Sequence, residues 1–486
     1  MAHVGLPTII QGGMGVGLSN WMLAREVSLA GQLGVVSGTA LDAVIARRLQ
    51  DGDLDGDVRR ALSHFPSPEM AARILNHYYV PGGRKTDVPY LAVPKISLKP
   101  TRFSEELSVV SNFVEVWLAK EGHSGVVGIN FLEKVQMATP PAVFGAMLAD
   151  VDYVLMGAGV PRELPRLLND FSAGNEGFIS VDVEGATEPY RLALDPKDLL
   201  GNELPKVNRP KFLAIVSADV LATYLARDEA IRPDGFVVEG PLAGGHNAPP
   251  RGRMVLDDNQ EPIYGARDEA NLAKMAALGL PFWLAGAHGE PEQVAAAIAA
   301  GSAGVQVGTL FALSRESGLK APLRAELMAE LDANGPVVKT DALASPTGFP
   351  FKVVQLDGTL SDEAVYDERP RLCDLGYLRT AFVRPNGLIG YRCPSEPINV
   401  YLKKGGSIEE TVGRQCLCNG LMANIGLGQH RLDGYVEPPI LTLGSSVESA
   451  RVLRAKHPSG WGAADVISWL LSEVSTVAPT LVGVRS

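Results

Sequence analysis

The chain has 486 residues, 46% hydrophobic and 20% charged, with a formal net charge of -11. That is an ordinary soluble globular composition, without the basic tract that a nucleic-acid partner needs or the roughly 18 consecutive apolar residues of a membrane span. The opening Met-Ala-His-Val-Gly lacks the charged start and apolar core of a secretory leader, so the expected location is the cytoplasm.

In chain order, Pro7-Thr-Ile-Ile-Gln-Gly-Gly-Met-Gly begins as a β-branched run and ends in a glycine loop. Asn20 to Ala30 then places apolar residues at helical spacing, and Gly31 stops that helix. Leu33-Gly-Val-Val-Ser37 reads as a buried strand, which completes a βαβ unit. Similar apolar runs recur at Val126–Phe131, Tyr153–Met156, Phe212–Val216, Gly235–Glu239, Pro281–Ala285 and Gly304–Val307, with helical patterns between them. Eight such strands alternating with helices predict an α/β fold, a (β/α)8 or TIM barrel, rather than an open sheet. Their continuous apolar character fits parallel strands covered on both faces.

Two insertions interrupt the count. Residues 42–120 carry helical patterns at Asp42–Leu49 and Phe103–Leu118, and residues 171–209 carry a hairpin-like run, Ile179–Val183. Residues 317–486 form an extension too long for one closing helix, read as a helix at Ala321–Ala333, a loop-rich segment with cysteines, and a helix at Gly462–Val474. The expected organisation is a barrel of residues 1–316 bearing both insertions, followed by a C-terminal extension of residues 317–486.

The chemistry gathers in loops that follow strands. Asp234-Gly-Phe-Val-Val-Glu-Gly-Pro-Leu-Ala-Gly-Gly-His246 ends a strand and delivers a histidine through a glycine-rich loop. In a barrel that loop lies on the C-terminal face, where active sites are built. Gly244 and Gly245 let the backbone approach a flat ligand, and His246 then acts as a base or hydrogen-bond donor over it. Taken alone, a loop histidine more often has no catalytic role. After the seventh and eighth strands come Leu284-Ala-Gly-Ala-His288 and Gly304-Val-Gln-Val-Gly-Thr-Leu-Phe311. Loops in those two positions commonly hold a phosphate, and Gly286, Ala287, Gly308 and Thr309 have the small size that close approach requires.

Taken together, these segments resemble the nitronate monooxygenase (2-nitropropane dioxygenase) family and its relative, the flavin-dependent enoyl-ACP reductase. The matching stretches are Pro7–Gly15, Leu23–Gly34, Gly128-Ile-Asn130, Val238–His246 and Gln293–Phe311, about half the chain. The resemblance implies FMN. Gly12, Gly13 and Met14 would flank its ring system, Asn130 would bond the ring or the ribityl chain, and Gly244 and Gly245 would pass beside the ribityl and phosphate. Gly286, Ala287, Gln306, Gly308 and Thr309 would hold the phosphate, with Ser217 and Glu239 as weaker candidates at strand ends. His246 matches the family's active-site histidine. The sequence departs from the family in the Asn247-Ala-Pro-Pro-Arg-Gly-Arg253 that follows His246, where a glycine two residues on is usual, and in its larger insertions and extension. Arg251 and Arg253 read either as a dock for an anionic group or as solvated surface residues.

The four cysteines, Cys373, Cys393, Cys416 and Cys418, all lie between residues 373 and 418. They read as ligands of a structural zinc or an iron–sulfur cluster, or as unligated thiols. The Cys-x-Cys pair is not the spacing of a zinc knuckle.

The function expected from the resemblance is FMN-dependent monooxygenation of a nitronate-like or other small anionic substrate with O2. One alternative is an NAD(P)H-dependent flavin enoyl-thioester reductase, although no dinucleotide fingerprint is present. The other is a non-catalytic or complex-associated barrel subunit. The expected partners are a small-molecule substrate and, for the reductase, NAD(P)H. The oligomeric state is left open, with a homodimer as the form considered.

Overall fold

The computed structural model describes residues 5–474; the reading of the first four residues lies outside them. Eight parallel strands form one sheet: β1 (Ile9–Gln11), β2 (Gly34–Ser37), β3 (Val127–Leu132), β4 (Tyr153–Gly157), β5 (Lys211–Val216), β6 (Gly235–Glu239), β7 (Phe282–Ala285) and β8 (Gly304–Val307). Neighbours pair in sequence order from β2 to β8, and β8 pairs in parallel with β1. The ring closes between β1 and β2, where Gln11 N donates to Leu33 O at 3.0 Å and Leu33 N donates to Ile9 O at 3.1 Å. The fold is an α/β TIM-type barrel.

The interior of the barrel is filled, not hollow. Ile10, Leu33, Val35, Leu155, Leu213, Val237 and Trp283 form a cluster of their own inside the ring. Trp283 is fully buried, and its indole N–H donates to Pro7 O at 2.8 Å, so its one polar group is satisfied. Gln11, also fully buried, seals the closing seam. Its Oε1 accepts from Val35 N at 2.9 Å and its Nε2 donates to Ser19 Oγ at 2.8 Å.

Helices cover the outside. α1 (Trp21–Leu29) starts at Asn20, whose side chain accepts from Leu23 N. The 42–120 insertion opens with α2 (Leu41–Gln50) and ends with α3 (Arg102–Lys120), a long helix capped by Thr101. The buried Glu115 of α3 accepts from Trp21 N at 2.9 Å and from Arg48 of α2 at 2.6 Å, tying the insertion to the first βα unit. In the second insertion, Gly177–Val181 pairs antiparallel with Tyr190–Leu194, so the expected hairpin forms two residues earlier than its apolar run suggests.

The extension contains more strand than its sequence suggests. After the helix Ala321–Asp332 it forms two short antiparallel hairpins, Val338–Asp341 with Phe351–Val354 and Thr380–Val383 with Ile389–Arg392. The extension does not hang from the barrel but folds back over the C-terminal ends of the strands. Lys352 N donates to Gly245 O, Asn247 N to Pro350 O and Ser445 N to Leu242 O, each at 2.9–3.0 Å. Trp461, fully buried, donates to Leu310 O at 2.8 Å. Glu184 of the second insertion exchanges backbone hydrogen bonds with Ala381 and Val383, so insertion and extension also meet. Among the described residues no helix is long and apolar enough to cross a membrane.

Candidate active site

A cavity of about 250 Å³ opens at the C-terminal ends of the strands. Its floor comes from strand ends and the loops that follow them. Twelve of the thirteen residues expected to hold a cofactor line it, namely Gly12, Gly13, Met14, Asn130, Glu239, Gly244, Gly245, Gly286, Ala287, Gln306, Gly308 and Thr309, and His246 lines it as well. Residues more than two hundred positions apart converge because parallel strands point every βα loop to the same face.

Ser217 is the exception. It follows the last residue of β5, where the chain has already turned outward toward the helix Asp219–Arg227, and it lines a separate outer notch instead. Ile215, two residues earlier and still within the strand, takes the position on the cavity wall.

Backbone geometry explains several of the small residues. A Cβ on Gly13 would lie 2.3 Å from Asn130 Cβ, so only glycine lets β1 and β3 approach this closely. Gly286 has φ +91° and Ala287 φ +58°, a left-handed turn that aims the loop after β7 at the cavity. Gly244 lies against the extension, where a Cβ would meet Leu443 at 2.9 Å. The Thr309 hydroxyl accepts from Gly444 N at 3.0 Å, and Thr442 Oγ1 accepts from Gly245 N at 2.9 Å. The extension therefore holds two of the cofactor loops in place.

His246 is enclosed. Its ring packs edge-on against Phe351 with centroids 4.9 Å apart, and its Nε2 lies 2.7 Å from Ser345 Oγ. Ser345 is fully buried and also bonded to Thr347. Burial first, and Lys134 nearby second, push the imidazole pKa down to about 3, so the ring is neutral across the physiological range. Lys134 is itself lowered to about 8 by burial. Burial alone raises Glu239 to about 7. No lysine or arginine is among the residues that line the cavity. Arg251, Gly252 and Arg253 are exposed, and neither arginine reaches the cavity.

Two buried amide oxygens in the wall, Asn130 Oδ1 and Gln306 Oε1, have no hydrogen-bond partner. Asn130 uses its Nδ2 on Gly13 O at 3.2 Å, which leaves the oxygen as a spare acceptor. Orphaned acceptors in a cavity call for a ligand that brings donors. A flavin does so through its ring N–H and ribityl hydroxyls, so the residues present fit the cofactor.

Sequence reasoning missed the roof. Phe351, Tyr377, Cys418, Thr442, Gly444, Ser446 and Ser449 of the extension all line the cavity. Cys418 stood out in the sequence only as one of the four clustered cysteines, and the small-residue run Gly444-Ser-Ser446 after an apolar stretch is the signal for two of the others. Tyr377 donates its hydroxyl to the buried Asp42 of α2, so extension and first insertion meet at the cavity wall.

Cys373, Cys393, Cys416 and Cys418 form no disulfide. All four are free thiols, and among the described residues no group of three or more His, Cys, Asp or Glu side chains is arranged to hold an ion. Burial raises the pKa of each thiol, to about 12 for Cys393 and Cys418. Cys393 and Cys416 are buried residues of the extension's interior, and Cys418 reaches the cavity.

The family model for nitronate monooxygenase matches residues 206–340. That stretch holds β5 to β8, the His246 loop and both glycine loops, so the resemblance carried by these residues recurs in the family comparison, and the match supports a flavin-dependent oxidoreductase. No curated protein sequence matches the chain. Similar solved structures include FabK from Thermotoga maritima, with 16% identity, coverage of 97% of this chain and 93% of that one, and a TM-score of 0.45. A nitroalkane oxidase from Streptomyces ansochromogenes has 16% identity, 97% and 96% coverage and a TM-score of 0.42. The enoyl reductase domain of MlnA from Bacillus amyloliquefaciens has 11% identity, 97% and 95% coverage and a TM-score of 0.48. At these identities and scores none of the three bears on function.

Proposed function

We propose that the protein is an FMN-dependent oxidoreductase whose reaction takes place in the cavity beneath the extension. The observation that carries this reading is the convergence on one cavity of Asn130 Oδ1 and Gln306 Oε1, both buried and unpartnered, with the glycine loops and His246. In this reading Gly12, Gly13 and Met14 lie beside the ring system. Asn130 and Gln306 accept hydrogen bonds from the cofactor. Gly244, Gly245, Gly286, Ala287, Gly308 and Thr309 carry its ribityl chain and phosphate through backbone amides, since no cation lines the cavity. Bound there, FMN would supply the redox chemistry, and the chain supplies orientation and proton handling.

Two substrate classes follow from different observations. The family match at residues 206–340 favours a nitronate-like substrate oxidised with O2. The neutral His246 ring suits a neutral carbonyl-type substrate such as an enoyl thioester, reduced at the expense of NAD(P)H. The test is direct. The flavin-loaded protein is offered NADH or NADPH without oxygen, and a nitronate with oxygen. Bleaching of the flavin by the nicotinamide supports the reductase; nitronate-dependent oxygen uptake supports the monooxygenase. Failure of both rejects the two substrate classes.

A further inference from the structure

We infer that Glu239 is the group through which protons pass between the central cavity and solvent. Glu239 is the last residue of β6 and lines two spaces at once: the central cavity, and a separate notch of about 30 Å³ whose walls include Ser217, Asn247, Pro249, Arg251 and Tyr264. Its carboxyl has no ion pair or side-chain hydrogen bond among the described residues. Asn247, which lines the same notch, is 3% exposed. Its Nδ2 donates to Ala243 O at 3.1 Å, while its Oδ1 is buried without a partner. Two residues with unused hydrogen-bonding capacity thus line a space with room for about two or three waters at roughly 10–15 Å³ each. Leaving such groups dry is costly, so water beside them is the physical expectation.

The surroundings leave Glu239 free to exchange. On the cavity side the titratable groups are His246, His288, Tyr377 and Cys418, all disfavoured from charging by burial, with Lys134 acting on His246 from nearby. On the notch side they are Arg251, Tyr264 and Asp268. The Asp268 carboxylate is taken up by Arg251 N at 2.7 Å and Gly265 N at 2.8 Å. The Tyr264 hydroxyl donates to Ala248 O at 3.0 Å, and Arg251 is exposed. Burial is the one influence on the carboxyl, and it holds the pKa near 7, so both protonation states are populated at neutral pH. His246 cannot serve in its place, because its ring is pinned neutral and its Nε2 is committed to Ser345. When a C–H acid is deprotonated in the cavity, the electron pair stays on the substrate as its conjugate base, and the proton goes to the Glu239 carboxylate and leaves through the notch. In the reverse direction neutral Glu239 gives its proton up and is recharged from solvent. The link to a redox substrate rests on the proposed function, whereas the path itself does not.

Infrared difference spectra of the full-length protein, recorded with and without FMN, test the path. The wild type is expected to show a protonated carboxyl band that titrates near pH 7 and is absent from Glu239→Gln. Filling the notch with Asn247→Leu is expected to slow hydrogen–deuterium exchange of that band at least tenfold without moving the far-ultraviolet circular dichroism spectrum. A band near pH 7 that survives Glu239→Gln, no such band in the wild type, or unchanged exchange in Asn247→Leu would each overturn the inference. Absence of any FMN binding alongside an intact band and slowed exchange would reject the proposed function and leave the proton path standing.

Discussion

Nε2 of His246 lies 2.7 Å from the hydroxyl of Ser345, a residue ninety-nine positions later that is fully buried in the extension. The barrel supplies the histidine, and the extension fixes its ring and encloses it. Enclosure has a measurable consequence. With the folded-state pKa lowered to about 3 from an ordinary 6.5, the imidazole stays neutral from pH 5 to 9. The unfolded chain binds a proton at this site below about pH 6.5 and the folded chain does not, so stability falls as pH drops from 6.5 toward 3. An NMR titration should show no shift of the His246 ring signals between pH 5 and 8, and Ser345→Ala should lower turnover by roughly two- to tenfold, the worth of one hydrogen bond. A His246 midpoint near 6.5 would contradict the account.

Gly13 and Asn130 bring β1 and β3 together at the cavity floor. A methyl group at residue 13 would fall 2.3 Å from Asn130 Cβ, deep in van der Waals overlap. Gly13→Ala should destabilise the fold by about 1–3 kcal/mol, the usual cost of overpacking. It should also displace Asn130 Oδ1, lowering the flavin content of the purified protein. Denaturant unfolding and flavin absorbance read the two effects separately. Normal flavin content in this variant would mean that Asn130 does not hold the cofactor.

The barrel was legible in the sequence because its signal is local and repeated. Every one of the eight strands carries an apolar run, each followed by a helix start, and parallel topology then fixes which loops share a face. The convergence of Gly13, Asn130, His246, Gly286 and Gln306 follows from that regularity alone. The roof was not legible. Ser345, which holds His246, and the cavity-lining Tyr377 and Thr442 come from short hairpins and irregular loops that have no periodicity, and their partners lie in the barrel loops or in α2. Ser217 was placed by its position at a strand end, which does not show where the chain turns away.

Trp461 anchors the extension to the segment after β8, fully buried and bonded to Leu310 O. Trp461→Ala should cost about 3–5 kcal/mol. If the extension is the roof, this variant should also release flavin faster than the wild type at temperatures where both remain folded. Stopped-flow fluorescence of the released flavin gives the rate. An unchanged rate would assign the extension to stability alone.

Glu115 is a buried carboxylate with two partners, Trp21 N and Arg48. Glu115→Ala leaves the Arg48 guanidinium and a backbone donor without their acceptor, an expected loss of about 3–5 kcal/mol in denaturant unfolding. Replacing both, as Glu115→Leu with Arg48→Met, should recover most of that loss. Failure of the double variant to recover would show that the pair is required for packing the 42–120 insertion and not only for charge balance.

The central claim is that the cavity beneath the extension holds FMN, and one measurement addresses it most directly. The purified protein is examined by visible absorbance, the chromophore is released by denaturation, and its mass is determined. Flavin bands with FMN as the released species, diminished in Gly13→Ala, are the predicted result. A colourless protein that takes up no FMN on reconstitution would contradict it.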